Sequence, residues 1–228
     1  LASNIDLSFL IITLKDPKTS LLFIDRYLIT TNAYKIPTIL IFNKIDIYEE
    51  EEEKLKKEYK NIYEKIGIEC ISVSVLKNIN MNIIKARLQN KTVLLSGHSG
   101  VGKSSFINLL DPNFNLKTKE ISEKYKQGIH TTTFSEMFHL EGYNSFIIDT
   151  PGIKGFGLVD ISKEDLGKYF PEIKKYSMKC KFKNCIHIKE PKCEVLKKLE
   201  NGEVSKSRYL NYLDMLKESK LYRKENYK

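Results

Sequence analysis

The sequence lacks long apolar runs, a recognisable signal peptide and internal repeats, and the first two absences narrow the class of protein. Its apolar runs, such as IPTILIF, are far shorter than the about 20 residues that cross a bilayer, so we expect no membrane-spanning segment. The first residues, LASNIDLSFLII, show neither a basic leader nor a small-residue cleavage site, which argues against a signal peptide. The chain starts at Leu1, and we interpret its N-terminus as truncated. We therefore expect a cytoplasmic protein.

Basic residues are concentrated towards the C-terminus. The 228 residues carry a formal charge of +9, and 41% of them are hydrophobic, which is enough for a buried core. Residues 172–228 hold 16 Lys and Arg against 8 Asp and Glu, whereas the preceding part holds 22 against 21. Such a basic segment favours a polyanionic partner such as RNA. A lysine-rich bias of the whole proteome is the open alternative, although it does not explain the asymmetry.

Apolar and amphipathic segments alternate along the first three quarters of the chain. The runs LSFLII, IPTILIF, IECISVS and KTVLLSG are separated by stretches such as SLLFIDRYLITTNAY and EEEEEKLKKEYKNIYEKI. This alternation predicts an α/β fold in which helices cover a mostly parallel sheet. Beyond about Pro171 the pattern changes to closely spaced cysteines followed by two helical stretches. We therefore predict one domain over residues 1–170 and a small helical domain over residues 171–228.

The stretch GHSGVGKSS has the P-loop pattern G-x-x-x-x-G-K-[ST], between the apolar strand TVLLS and the helical SSFINLL. Glycines let backbone N–H groups approach the phosphates, Lys103 adds a cation at the β- and γ-phosphates, and the Ser104 hydroxyl suits Mg²⁺. The residues predicted to hold the nucleotide in this loop are Gly97, His98, Ser99, Gly100, Val101, Gly102, Lys103, Ser104 and Ser105.

A second nucleotide-related motif, NKID, lies upstream of the P-loop. It places Asn43, Lys44 and Asp46 at the end of a strand, where open α/β sheets bind ligands. The Asp46 carboxylate can accept hydrogen bonds from N1–H and the amino group of guanine, a pattern that adenine lacks, and Asn43 and Lys44 would support the loop and the ring. Together with the P-loop, the NKID motif favours a GTP-binding protein over a P-loop ATPase or kinase. SVSVLK, after the next strand, offers Ser74 for the remaining base-contacting loop.

Two further motifs follow the P-loop. DTPG ends the strand NSFIID, where Asp149 can hold Mg²⁺ through water and the Gly152 amide can meet the γ-phosphate. HTTT offers Thr131 and Thr132 as the switch threonine that closes on the metal. The alternative for HTTT is an ordinary strand entry rich in threonine.

The order of these motifs is rotated: base loop, P-loop, switch threonine, DTPG. Ordinary GTPases have the base loop downstream of the P-loop. Because a parallel sheet can have its termini joined and be reopened at a surface loop, this order predicts a circularly permuted P-loop GTPase domain. The segment after Gly152, IKGFG, runs directly into the cysteine-bearing domain, so nucleotide state can bias the position of that domain.

The C-terminal part contains a metal-binding pattern, C-x4-C-x-H-x5-C, formed by Cys180, Cys185, His187 and Cys193. Sulfur and imidazole ligands at this spacing can surround one Zn²⁺ tetrahedrally, and four protein ligands predict a closed structural site. A disulfide would leave an odd cysteine and suits a secreted protein. Cys70, alone in an apolar run, is predicted to be a core residue.

With these motifs, and RYLNYLDML near the C-terminus, the chain resembles ribosome small-subunit-dependent GTPase A, the bacterial RsgA family, over nearly its whole length. The resemblance implies a permuted GTPase domain followed by a zinc domain, and binding of GTP or GDP, Mg²⁺ and one structural Zn²⁺. It also implies a role in late assembly of the small ribosomal subunit. In the family this subunit stimulates GTP hydrolysis, so the implied partners are the small subunit and its rRNA. The family also carries an N-terminal OB-fold, and we interpret the given sequence as not including it. We expect a monomer that does not bind membranes.

The residue after DTPG is Ile153, where many GTPases carry a glutamine that orients water. Because isoleucine cannot orient water, intrinsic hydrolysis is predicted to be slow. His130 is a candidate catalytic group because it stands next to the switch threonines and because a histidine side chain can accept or donate a proton near neutral pH. A loop histidine without a catalytic part is the alternative. Ile129 stands where the family commonly has a basic residue. A competing function is a guanine-nucleotide-dependent RNA-binding switch with negligible turnover.

Overall fold

The structure is a computed structural model that describes residues 4–116, 136–149 and 161–225 of the chain. The chain divides into two compact units. The first unit consists of Leu1–Thr19 and Lys35–Lys154, and the second of Ser20–Tyr34 and Gly155–Lys228. The second unit therefore includes a segment from the N-terminal part of the chain.

The first unit is built on a sheet. Its described strands are β1 (Leu7–Ile12), β2 (Thr38–Phe42), β3 (Glu69–Ser72), β4 (Thr92–Ser96), β5 (Glu136–Leu140) and β6 (Ser145–Asp149). In the described residues these six strands have the order β3-β2-β1-β4-β6-β5. Neighbouring strands run parallel, except that β5 is antiparallel to β6. The predicted α/β fold with a mostly parallel sheet is confirmed.

Helices are present in both units. Those described are α1 (Leu21–Ala33), α2 (Glu50–Glu64), α3 (Met81–Leu88), α4 (Lys103–Leu110), α5 (Lys163–Leu166), α6 (Pro171–Ser177), α7 (Glu194–Glu200) and α8 (Lys206–Glu225). Of these, α2, α3 and α4 belong to the first unit. The acidic run of the sequence begins α2, where Glu49 and Glu52 form a reciprocal capping box. Carboxylates in this first turn interact favourably with the helix dipole.

The central strands of the first unit are buried and pair in a regular parallel register. Every residue of β1 is buried, as is typical of a parallel strand covered on both faces. Phe9 of β1 packs edge-to-face on Phe106 of α4, with the ring centroids 6.2 Å apart. Ile12 is paired with Phe42 of β2, and Leu10 with Ser96 of β4. The loops that follow β1, β2 and β4 therefore emerge side by side at one edge of the sheet.

The second unit has its own core of helices. Ile29 of α1 joins an apolar cluster with residues of α6, α7 and α8. Phe170, at the start of α6, and Tyr212 of α8 pack edge-to-face with their ring centroids 5.4 Å apart. Tyr212 and Met215 of α8 are buried in this cluster together with Phe170.

A buried ionic network lies within the second unit. Arg208 of α8 is only 1% exposed, and its guanidinium faces two buried carboxylates. Its Nε and Nη2 atoms donate to Glu172 of α6 at 2.5 and 3.2 Å, and Nη1 donates to Asp25 of α1 at 2.5 Å. The Asn211 amide donates a further hydrogen bond to Asp25 at 2.6 Å. This network joins three helices that are remote in sequence.

The division by spatial contacts differs from the sequence-based division. The contacts group Ser20–Tyr34 and Gly155–Lys228 together, whereas the sequence pattern changes at about Pro171. The two divisions rest on different criteria, and the boundary between residues 170 and 171 stays a prediction. Among the described residues, no helix combines the length and the apolar character that crossing a bilayer requires.

Candidate active site and metal centre

The P-loop connects β4 to α4 and depends on glycine at two positions. Gly97 has φ +152° and Gly102 has φ +101°, a range that side-chain-bearing residues rarely adopt. A Cβ on Gly97 would lie 2.5 Å from the carbonyl oxygen of Ile11, and one on Gly102 would lie 2.6 Å from Nδ2 of Asn43. Glycine therefore lets this loop approach both the end of β1 and the NKID loop.

Lys103, the first residue of α4, is folded over the P-loop. Its Nζ donates to the carbonyl oxygens of Gly97 at 2.9 Å and His98 at 3.2 Å. Burial lowers the pKa of Lys103, although the charge of Asp149 acts in the opposite direction. Burial, followed by the charge of Lys103, also lowers the pKa of His98, which favours a neutral imidazole. The loop thus holds a cation where phosphates would bind.

Asn43 joins three loops of the candidate site. It follows β2 and is buried. Its Nδ2 donates to the carbonyl oxygen of Val101 in the P-loop at 2.8 Å, and its Oδ1 accepts from the backbone N–H of Val75 at 3.1 Å. The NKID loop, the P-loop and the loop after β3 therefore meet at one side chain.

The two other polar residues of NKID lie on a tight turn. Lys44 has a left-handed backbone, with φ 63°, and a short 3-10 helix, Ile45–Ile47, follows. The Lys44 ammonium donates to the carbonyl oxygen of Asp16, and burial lowers its pKa. Oδ1 of Asp46 is buried, and no group in the described part of the chain donates to it. A buried acceptor of this kind fits the N1–H and amino donors of guanine.

The loop after β3 closes on itself. Ser74 is buried, and its Oγ accepts from the backbone N–H of Lys77 at 3.0 Å. The backbone of Ser74 is paired with that of Ile79 through hydrogen bonds of 2.9 and 3.3 Å. The Ser74 hydroxyl therefore shapes its own loop, and Val75 beside it provides the contact to Asn43.

The remaining predicted site residues fall into two groups. Asp149 ends β6, is 2% exposed and is paired in register with Leu95 of β4, just before the P-loop. Within the P-loop, Val101 is buried, Gly100 is exposed, and the serine side chains are partly exposed at Ser99, Ser104 and Ser105. The predicted residues that lie outside the described residues are His130, Thr131, Thr132, Gly152 and Ile153.

One loop of this site, the loop that follows β1, was not predicted from the sequence. There Asp16 contacts Lys44, and Pro17 lies 3.5 Å from where a Cβ on Gly100 would be. Tyr48 also contacts this loop, because its hydroxyl accepts from the backbone N–H of Leu14. The signal that could have found this loop is the TLKDP segment at the carboxyl end of an apolar strand.

The predicted metal ligands come together in the second unit. The ligand atoms of Cys180, Cys185, His187 and Cys193 all lie within 4.8 Å of one another. Nδ1 of His187 is 3.4 Å from Sγ of Cys193 and 3.7 Å from Sγ of Cys180, and these two sulfurs are 3.9 Å apart. Ligands placed tetrahedrally at about 2.3 Å around Zn²⁺ are about 3.8 Å apart. This Cys₃His cluster is therefore compatible with a closed zinc site.

The backbone around this cluster is fixed by neighbouring polar side chains. The hydroxyls of Tyr209 and Tyr212 on α8 donate to the carbonyl oxygens of His187 at 2.7 Å and Ile186 at 2.9 Å. The Glu190 carboxylate accepts from three backbone N–H groups of the ligand loop, those of Ile186, Ile188 and Lys189. Burial would raise the pKa of Glu190, but these hydrogen bonds lower it overall. The loop is thus held in place by groups that are not metal ligands.

A P-loop on a central strand, with a guanine-type NKID loop two strands away but earlier in the chain, defines a circularly permuted P-loop GTPase. The model of the family described as RsgA GTPase matches residues 1–159. The chain belongs to the RsgA GTPase family, and the predicted GTPase class is confirmed.

Relatives agree with this assignment. The chain is 49% identical over 228 residues to the small ribosomal subunit biogenesis GTPase RsgA of Christiangramia forsetii. The match covers 100% of this chain and 72% of the relative. Two solved structures each match 95% of the chain. YloQ, described as a circularly permuted GTPase, has 31% identity and a TM-score of 0.78, with 69% of it covered. YjeQ from Thermotoga maritima has 32% identity and a TM-score of 0.80, with 72% covered.

Proposed function

We propose that this chain binds and hydrolyses GTP in late assembly of the small ribosomal subunit, and that the small subunit stimulates the hydrolysis. The name of the relative from Christiangramia forsetii, 49% identical over the whole chain, supports the ribosomal role. The excess of basic residues over 172–228 supports contact with rRNA, because Lys and Arg replace the counterions of phosphates. We expect the protein to act as a cytoplasmic monomer.

The observation that carries the nucleotide proposal is the buried Oδ1 of Asp46, to which no described group donates. A buried carboxylate oxygen without a donor is unfavourable, and guanine would supply donors from N1–H and the amino group. Adenine presents an acceptor at N1 and would leave this oxygen without a donor. Lys44 would flank the ring, and Asn43 supports the recognition loop through its contacts to Val101 and Val75.

The phosphates would be held by the backbone N–H groups between Gly97 and Ser105 and by the Lys103 ammonium. This ammonium now donates to two P-loop carbonyls, and it would exchange them for the β- and γ-phosphate oxygens. Ser104 and Asp149 would hold Mg²⁺, with Asp149 acting through water. When bound, Mg²⁺ neutralises the charge that develops on the phosphate oxygens.

Hydrolysis requires a correctly placed water, and we assign the placement of this water to residues of the HTTT and DTPG motifs. Thr131 or Thr132 would close on the metal, the Gly152 amide would meet the γ-phosphate, and His130 is the candidate that orients water. Ile153 has no group that can hydrogen-bond to water, so the unaided rate is expected to be low. The same residue favours the second candidate function, a nucleotide-dependent RNA-binding switch with negligible turnover.

We propose that the Cys₃His cluster holds one structural Zn²⁺. Its ligand atoms lie within 4.8 Å of one another, which supports one four-coordinate ion. Burial raises the pKa of the Cys185 thiol to about 12. A divalent cation would stabilise thiolates at this position, since metal binding displaces thiol protons.

The test is steady-state GTP hydrolysis at low salt with small subunits, large subunits or neither. We expect stimulation by small subunits alone, and partners that complete a GTPase site raise rates by about 10³ to 10⁵. The Lys103→Ala variant is the control for contaminating activity. Equal rates with both subunits would overturn the ribosomal assignment. Binding of small subunits without GTP turnover would favour the second candidate function, the nucleotide-dependent RNA-binding switch.

A further inference from the structure

We propose that Tyr48 is a positioning residue for guanine recognition, because its hydroxyl is inserted between β1 and β2 where the strands separate to form the nucleotide site. This inference rests on the proposed function, since it concerns the loop that carries Asp46. Tyr48 lies directly after the 3-10 helix Ile45–Ile47 and precedes α2. It does not belong to the NKID motif.

The pairing of β1 and β2 shows what the hydroxyl replaces. Ile12 is paired with Phe42, and the backbone N–H of Asn43 donates to the Ile12 carbonyl at 2.9 Å. In a parallel ladder the next hydrogen bond would run from the N–H of Leu14 to the carbonyl of Asn43. Instead, the Leu14 N–H donates to the Tyr48 hydroxyl at 3.0 Å, and that hydroxyl donates to the Asn43 carbonyl at 2.9 Å. The hydroxyl therefore takes the place of one ladder hydrogen bond.

This insertion widens the gap between the two strands where both loops begin. A direct backbone hydrogen bond spans about 2.9 Å, whereas two hydrogen bonds in series span a longer distance. Beyond this point the NKID loop turns at Lys44, and the other loop continues to Asp16, whose carbonyl accepts from the Lys44 ammonium. The hydroxyl and this ammonium thus fix the spacing of the two loops at two points. Asp46 lies between Lys44 and Tyr48 in the chain, so this spacing sets the position of its carboxylate.

Simple packing of the aromatic ring does not account for this arrangement. A phenylalanine would fill the same space but could neither accept from Leu14 nor donate to Asn43. The ring also lies 5.9 Å from the Lys56 ammonium, a contact that phenylalanine would keep. Burial raises the pKa of Tyr48 to about 12, so the hydroxyl keeps its proton at neutral pH and can donate and accept at once. The function of the residue therefore resides in the hydroxyl.

The test compares Tyr48→Phe with the unmodified chain in calorimetric titrations with GDP and with inosine diphosphate (IDP). IDP lacks the amino group of guanine, so it reports on how well Asp46 is placed. We expect GDP affinity to fall about 3- to 10-fold, as for loss of one hydrogen-bond bridge, and IDP affinity to fall less. The preference for GDP over IDP would therefore decrease. Tyr63→Phe is the matched control, because it removes a buried hydroxyl at the C-terminal end of α2, far from the NKID loop in the chain, and should leave this preference unchanged.

The outcomes are distinguishable. Equal losses for GDP and IDP, or no loss for either, would overturn the role of Tyr48 in base recognition. Thermal unfolding of both variants separates a general loss of stability from a change in selectivity. If the unmodified chain does not prefer GDP over ADP, the proposed nucleotide function itself fails, independently of the Tyr48 variant.

Discussion

Replacing Arg208 with methionine removes the cation at the centre of the buried network. Arg208 is 1% exposed, and its partners Asp25 and Glu172 are 0% and 6% exposed. Methionine keeps part of the side-chain volume, including some contact with the Phe170 ring, whose centroid is 5.0 Å from the guanidinium carbon. The substitution therefore tests the loss of charge more than the loss of packing.

The magnitude follows from burial. Breaking a buried ion pair by removing one partner costs about 3 to 5 kcal/mol, because the other charge stays in a poorly solvated position. Here two carboxylates face the same guanidinium, which favours the upper part of this range. Asn211 still donates to Asp25 at 2.6 Å, which limits the loss. We expect the free energy of unfolding of the second unit to fall by about 3 to 5 kcal/mol.

The assay is urea unfolding followed by far-UV circular dichroism and by release of the zinc proposed for the second unit, since the sequence has no tryptophan for a fluorescence signal. Arg87→Met is the matched control, because Arg87 pairs with Glu69 at 2.9 Å in an exposed position. Exposed pairs contribute little to stability. A triple variant in which Asp25→Asn and Glu172→Gln accompany Arg208→Met should regain part of the loss. A loss for Arg208→Met no larger than that for Arg87→Met would refute the reasoning.

Three further predictions concern the nucleotide and metal sites. Asp46→Asn reverses one hydrogen-bonding direction, so preference should move from GTP towards xanthosine triphosphate in competition binding; equal binding of ATP and GTP by the unmodified chain would contradict this. Lys103→Ala should weaken triphosphate binding or turnover by about 10²- to 10³-fold, as for loss of one preorganised donor, without changing the circular dichroism spectrum; unchanged affinity and turnover would exclude Lys103. Cys185→Ser should unfold the predicted helical domain of residues 171–228 and spare nucleotide binding, because structural zinc supplies about 10 to 16 kcal/mol of folding free energy. Elemental analysis of unmodified protein purified without chelator should find one zinc per chain, and its absence would contradict the metal assignment.

The sequence predicted the parts of the fold that depend on local pattern. Apolar runs such as LSFLII correspond to strands, and the P-loop and NKID lie at the ends of β4 and β2. The Cys₃His cluster could be predicted because its four residues fall within 14 positions, from Cys180 to Cys193. In each case the residues that determine the feature are close in the chain.

Contacts between distant residues could not be predicted from one sequence. Arg208 and Asp25 are 183 positions apart, and nothing in either segment identifies the other as its partner. Their pairing agrees with the grouping of α1 in the second unit, although α1 connects β1 to β2 in the chain. The double contact of Asn43 was also unpredicted in detail, since a motif indicates which residue types are present but not which backbone groups they meet.

Circular permutation preserves the nucleotide site because strand neighbours, and not chain order, determine which loops meet. In the sheet, β1 lies between β2 and β4, so the loop after β1 emerges between the NKID loop and the P-loop. Its contacts agree with this position: Asp16 accepts from Lys44 on one side, and Pro17 lies near Gly100 on the other. No nucleotide-binding motif identifies this loop, because its role follows from the place of β1 in the sheet. The same reasoning explains Tyr48, whose hydroxyl acts where β1 and β2 separate and whose importance cannot be read from NKID alone.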